Sequence, residues 1–273
     1  MKPARPFLKW VGGKAGLLPL IAPHLPAFDG DYHEPFVGGG ALFFHLRAAG
    51  RIRRATLCDA NERLIRTYRG VRDTPEMVLA HLEAYAGGHL EHPAESFADA
   101  RRMDIDGATD AEVAAWFIYI NRTGYNGLYR TNRAGRCNTP FGKVDRFEYD
   151  ADNLRACSAA LRGVDLRIED FGGCRRARRG DLVFFDPPYV PVSKTSAFVG
   201  YTPGGFSIDE HARVRDVSRA LKARGVHVLL WNSAAPVVRD LFADGFDIAV
   251  LEARRNVNCK ASRRGTVGEV LIS

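Results

Sequence analysis

The sequence predicts an α/β fold: a largely parallel sheet, interrupted by a mostly helical insertion over residues 62–145. Three observations carry this. The apolar run Leu182, Val183, Phe184, Phe185 stops at Asp186-Pro187-Pro188-Tyr189, where two prolines cannot continue a ladder. Residues 32–37 lead into Gly38-Gly39-Gly40, a helical pattern over 41–49 and a second short strand at 55–58. Strand, helix and strand of that size form a βαβ unit with a parallel pair. From 61 to 120 the periodicity is helical, with no strand signal.

The elements follow in order. Gly50 ends the helix that starts at Ala41, and Asp59 closes the second strand. Thr109 and Glu112 stand at capping-box spacing before the apolar segment 113–120. Gly124, Asn126-Gly127, Asn132, Gly135 and Asn138 then punctuate a hairpin with long loops. A helix is expected over 151–162, and strands over 164–168 and 181–186. Ser207 and Glu210 open a helix running to about Arg224, and 226–231 reads as a buried strand. The expected division is 1–61, 62–145 and 146–273, the outer two parts forming one domain.

Composition bounds the function. A chain of 273 residues buries a substantial core, and a net charge of +7 favours an anionic partner. The five cysteines (58, 137, 157, 174 and 259) include no CxxC pair, which fits a reducing compartment and argues against a zinc site. No signal peptide or membrane-spanning stretch stands out, so a cytoplasmic, monomeric protein with no metal and no membrane partner is expected.

Chemistry concentrates at strand ends. In open α/β sheets, ligands bind outside the carboxyl ends of the strands. The 181–186 strand delivers a carboxylate, two rigid residues and an aromatic ring to that edge. Asp186 and a proline carbonyl suit the two hydrogens of a ring amino group, and Tyr189 suits its face. The glycine turn permits positive φ and close backbone approach, and Asp59 lies where such folds hold ribose hydroxyls. The spacing is not G-x-G-x-x-G, so a small nucleoside cofactor fits better than a dinucleotide. A plain strand–helix turn with a capping Asp is the bland alternative.

Between Glu112 and Asp145 there is no acid. The interval holds Arg122, Arg130, Arg133, Arg136 and Lys143, with Tyr125, Tyr129 and Phe141 and the amides Asn121, Asn126, Asn132 and Asn138. That mixture suits phosphate contacts, base-edge hydrogen bonds and wedging into a stack. The cluster Arg175, Arg176, Arg178 and Arg179 reads as a solvated loop, and Trp116, Phe117 and Tyr119 as core.

Together these residues resemble the Dam-type (D12 class, α group) DNA adenine-N6 methyltransferases. The likeness rests on 7–14 (FLKWVGGK), 34–40 (EPFVGGG), Asp59, 121–130 (NRTGYNGLYR), 138–142 (NTPFG), Asp170-Phe171 and 186–189 (DPPY), in that order. It implies a Rossmann-like class I methyltransferase sheet with an inserted, mostly helical DNA-recognition domain carrying a β-hairpin. It implies S-adenosylmethionine as cofactor, held by Trp10, Lys14, Phe36, Gly38, Gly40, Asp59, Asp170 and Asp186. Asp186, Pro187, Pro188 and Tyr189 would form the catalytic element. Lys9, Arg122, Tyr125, Asn126, Leu128, Arg130, Arg133, Arg136, Asn138 and Pro140 would meet double-stranded DNA, with GATC as the target. Trp231-Asn232 departs from the family's frequent Ser-Asn. The competing readings are methylation of cytosine N4, RNA or a protein amide, and a DNA-binding relative without activity.

Overall fold

The computed structural model describes residues 2–190, 206–254 and 266–273. In chain order its helices and strands are α1 (Leu18–Ile21), β1 (Tyr32–Glu34), α2 (Ala41–Ala48), β2 (Ala55–Asp59), α3 (Glu62–Asp73), α4 (Pro75–Glu91), α5 (Pro93–Arg102), α6 (Asp110–Thr123), α7 (Ala151–Leu161), β3 (Asp165–Ile168), β4 (Leu182–Phe185), α8 (Ile208–Ala223), β5 (His227–Ser233), α9 (Pro236–Phe242), β6 (Ile248–Arg254) and β7 (Thr266–Ile272). Among the described residues, seven strands form one sheet in the order β3-β2-β1-β4-β5-β7-β6. The first five are parallel, and β7 runs antiparallel between β5 and β6. The strand order reverses between β1 and β4, which makes their carboxyl ends the switch point for ligands.

Strand β4 is buried on both faces, which is why it reads as an unbroken apolar run. Leu182 and Phe184 join a core with α2, α3, α6 and α7; Val183 and Phe185 join a second core with α8 and α9. Each such side chain contributes about 1.5–3 kcal/mol of burial. The helices between β2 and β3 share the first core with the sheet: Tyr68, Val113, Phe117 and Ile120 lie in the same cluster as Leu57 and Trp231. Thr109 and Glu112 form the capping box of α6, and the Ser207 hydroxyl accepts the Glu210 N–H at the start of α8.

Two expectations are corrected. Strand β1 ends at Glu34 rather than at 37, because Pro35 has no N–H to donate; the ladder resumes only in the bond from Val37 N–H to the Cys58 carbonyl, 2.9 Å. The hairpin after α6 contains two isolated bridges, Gly124 with Phe141 and Thr131 with Cys137, and no regular strand. Main-chain bonds such as Asn138 N–H to the Arg130 carbonyl and Asn132 N–H to the Arg136 carbonyl, both 2.9 Å, join its two arms, and side chains satisfy further backbone groups. The Thr139 hydroxyl accepts the Arg130 N–H, and the Asn132 amide oxygen accepts from Ala134 and Arg136 at the tip. Strand β5 runs two residues beyond the expected end, and α9, β6 and β7 were not anticipated. Cys259 lies outside the described residues.

Candidate functional site

Four neighbouring strand ends build the site. Beyond β1, the chain turns through Gly38 and Gly40 with φ of +46° and +64° before entering α2. A Cβ on Gly38 would lie 2.6 Å from the Trp10 indole nitrogen, so only glycine lets the ring lie over the turn. The Gly38 carbonyl accepts from the Tyr68 hydroxyl, and its N–H donates to Asp59 at 3.4 Å. The other Asp59 oxygen accepts the Asn61 N–H at 2.9 Å, which shapes the entry to α3. Burial pushes the Asp59 carboxyl up to about 6, against those backbone donors. A half-buried carboxylate beside a glycine turn is thus in place at the end of β2.

Asp186 leaves β4 and meets Lys14. The Lys14 ammonium is buried, donates to the Asp186 Oδ2 at 2.6 Å and to the Gly12 carbonyl at 2.6 Å, and stands 5.0 Å from the centre of the Tyr189 ring. Burial raises the Asp186 pKa and Lys14 opposes the rise. The Lys14 bond uses Oδ2. Glu34, at the end of β1, accepts from the buried Tyr32 hydroxyl at 2.9 Å, and burial pushes its carboxyl up to about 8. Burial thus disfavours a second negative charge beside the Lys14–Asp186 pair. The Tyr189 hydroxyl donates to Glu269 of β7 at 3.0 Å, and the Trp231 indole N–H donates to the same carboxylate oxygen.

Phe36 stacks on Phe171 with centroids 5.3 Å apart and meets Phe206 edge-on at 5.7 Å. Asp170 precedes that ring, accepts from the Gly172 N–H and pairs with Arg213. Trp10, Phe36, Asp59 and Asp170 thus line the edge at β1–β3, with Asp186 and Tyr189 across the switch point. Aromatic rings and carboxylates gathered at one sheet edge suit a nucleoside. Among the described residues, no His, Cys, Asp and Glu group is placed to hold a metal ion, and no helix is long and apolar enough to cross a membrane.

The hairpin stands beside this edge, tied to it through Lys9. Asn121, fully buried on α6, accepts the Lys9 N–H at 2.7 Å and donates to the carbonyls of Lys9 and Gly127. Gly127 has φ +68°, and a Cβ there would lie 2.6 Å from the Lys9 carbonyl oxygen. The clamp leaves the Lys9 side chain exposed next to Tyr125 and Asn126, which are also exposed. Asn138, Pro140, Arg133 and Arg136 are exposed along the hairpin, and Leu128 is half-buried. Arg130 is half-buried, with its Nε buried and without an acceptor. Arg63 of α3 braces the tip by donating to the Gly135 carbonyl at 2.8 Å.

Some expected residues serve the scaffold. Asn121 is the clamp just described. Tyr129 is 3% exposed and packs on Phe117 at 4.4 Å. Arg122 is exposed and donates to the Phe7 carbonyl at 3.0 Å, which leaves its expected DNA contact untouched. In the Arg175–Arg179 run, Arg176 pairs with Glu169, and the Arg178 backbone N–H donates to the Asp181 carboxylate. Glu269 was missed altogether. Its only signal was an acid inside the apolar terminal segment 267–272, and nothing local connects it to Tyr189.

A family model described as D12 class N6 adenine-specific DNA methyltransferase matches residues 10–257. The chain is 38% identical to the type II methyltransferase M1.LlaDCHI of Lactococcus lactis subsp. cremoris, covering 98% of this chain and 95% of that protein. It is 34% identical to the type II methyltransferase M.MjaIII of Methanocaldococcus jannaschii, over 95% of each. It is 31% identical to the DNA adenine methylase of Vibrio cholerae serotype O1, covering 99% of this chain and 96% of that one.

Proposed function

The chain belongs to the D12 class N6 adenine-specific DNA methyltransferases, and on that premise we propose that it methylates adenine N6 within GATC in duplex DNA, using S-adenosylmethionine. The observation that supports the reading most is the placement of Asp186-Pro187-Pro188-Tyr189 across the switch point from the glycine turn and Asp59, with the exposed basic hairpin alongside.

The residues present fit the cofactor. Asp59 would accept from the ribose hydroxyls, Asp170 and Phe36 would stand by the base, and the 36–40 turn, with Trp10 over it, would run beneath the methionine part. Lys14 would act on this region through Asp186. When bound, S-adenosylmethionine supplies an electrophilic methyl group. The amino lone pair of adenine is delocalised into the ring, so the free base is a poor nucleophile. Asp186 Oδ1 and the Pro187 carbonyl would accept its two hydrogens and favour a tetrahedral nitrogen with a localised lone pair. Asp186, whose pKa burial raises, would then take the proton that the methylated nitrogen releases.

The base cannot reach this edge from within a duplex, so it is flipped at a cost of a few kcal/mol. Tyr189 stacking and the hairpin offset that cost. Residues 62–145 serve as the DNA-recognition part, although their core is continuous with that of the sheet. Lys9, Tyr125, Asn126, Leu128, Arg130, Asn138 and Pro140 approach the bases, while Arg133 and Arg136 approach phosphates.

Sequencing DNA from cells that express the protein, with detection of modified bases, tests this. The expected result is N6-methyladenine at GATC. Methylcytosine, or methylation only of RNA, overturns the substrate; N6-methyladenine in another context overturns the target alone.

A further inference from the structure

We propose that Glu269 is a positioning residue for methyl transfer: it tethers the Tyr189 hydroxyl so that the ring is held at one angle for the flipped base. This rests on the reading above, in which Tyr189 stacks on the target adenine.

The geometry carries it. Tyr189 is held at its Cα by two prolines and at its far end by the 3.0 Å bond to Glu269. A tyrosine side chain has only two torsions: fixing both ends fixes the long axis of the ring, and the Lys14 ammonium over its face bears on rotation about that axis. The Lys14 ammonium, 5.0 Å from the ring centre, ties the same ring to the Asp186 carboxylate. Glu269 is itself only 3% exposed, so its charge needs donors. Tyr189 and the Trp231 indole both donate to its Oε2. Trp231 is fully buried on β5, and β7 pairs with β5 so that Glu269 lies opposite Ser233. The carboxylate is therefore set on an interior strand, at the carboxyl end of β5, and the ring of the base platform is fastened to it. Trp231, which departs from the family pattern, acquires a role here as the second donor.

A platform that swings costs reaction geometry rather than DNA affinity, which the hairpin supplies. The test is the single-turnover methylation rate on a duplex, with DNA affinity measured separately and the thermal midpoint confirming the fold. Tyr189→Phe keeps the ring and loses the tether. It should slow methyl transfer about tenfold, with DNA affinity within about twofold of wild type. Glu269→Leu should be slowed at least as much, and Glu269→Gln should recover most of the rate, because the amide oxygen accepts both bonds. The double variant Tyr189→Phe/Glu269→Leu should be no slower than Glu269→Leu alone.

Losses that multiply in the double variant would show that Glu269 serves the sheet only, and overturn the proposal. A wild-type rate for Tyr189→Phe overturns it even if Glu269→Leu does not fold. Tyr189→Ala separates the two readings. If it is severely slowed while Tyr189→Phe is normal, stacking stands and the tether falls. If Tyr189→Ala reacts at the wild-type rate, the stacking reading itself fails.

Discussion

The strand-end site and the hairpin are built on opposite plans. At the strand ends, the side chains are buried or half-buried and already paired: Lys14 with Asp186, Asp59 with two backbone N–H groups, Tyr189 with Glu269. On the hairpin it is the backbone that is satisfied, by Asn121, Asn132, Thr139 and Arg63. The side chains of Tyr125, Arg133, Arg136 and Asn138 remain exposed. Chemistry on a weak nucleophile needs acceptors held in place before the substrate arrives, with little water to reorganise. Recognition of DNA needs groups whose partners arrive with the DNA. Substitutions in the first region should therefore act on rate and cofactor affinity, and those in the second on sequence preference and salt dependence.

The largest effect should come from Asp186→Ala. It removes the acceptor for the amino group and the partner of Lys14. Methyl transfer should fall at least about a thousandfold. Circular dichroism should show a folded protein. Asp186→Asn should also be severely impaired, because the amide accepts less strongly and adds an opposing donor. A folded Asp186→Ala protein with near-normal turnover would break the contrast at its centre.

Asp59→Ala should weaken S-adenosylmethionine binding by about 1–3 kcal/mol through lost charge-assisted hydrogen bonds, with DNA affinity little changed. Calorimetry measures both. Burial pushes this carboxyl up to about 6, and it accepts from a ribose most strongly when ionised. Cofactor affinity should therefore be full above about pH 7 and weaken as the pH falls through 6. Asp59→Asn should lose that pH dependence. Unchanged calorimetric affinity in Asp59→Ala would leave this residue only its role at the start of α3.

The hairpin sharpens the comparison from the other side. Arg130 has a buried Nε without an acceptor and one long bond, 3.4 Å, to the Asn138 carbonyl. An arginine paired with guanine contributes about 1–3 kcal/mol of discrimination. Arg130→Ala should relax preference at one guanine of the site, read on a panel of single-substitution duplexes at fixed salt. A uniform loss across the panel would make Arg130 a backbone contact.

Arg136→Ala should have the smallest effect. Binding should weaken alike on all duplexes, and the salt dependence should flatten by about one unit of slope. A change in sequence preference with an unchanged salt slope would reverse the roles of the two arginines.

Much of this was legible in the sequence because it is written locally. Two prolines after an apolar run place Asp186 at a strand end whatever else the chain does. Three glycines before a helical pattern mark the turn, and Thr109 with Glu112 marks the start of α6. Such signals depend on φ restriction, missing N–H groups and side-chain period, all set within a few residues. Tertiary structure alone decided what those groups touch. Asn121 looked like a base-reading amide and is the buried clamp on Lys9; Tyr129 looked like a stacking ring and is core. Lys14 reaches Asp186 across 172 positions, and Tyr189 reaches Glu269 across 80. Neither pairing has a local signature, because strand order and the antiparallel register of β7 against β5 bring the partners together, and those follow from how the two cores pack on the sheet.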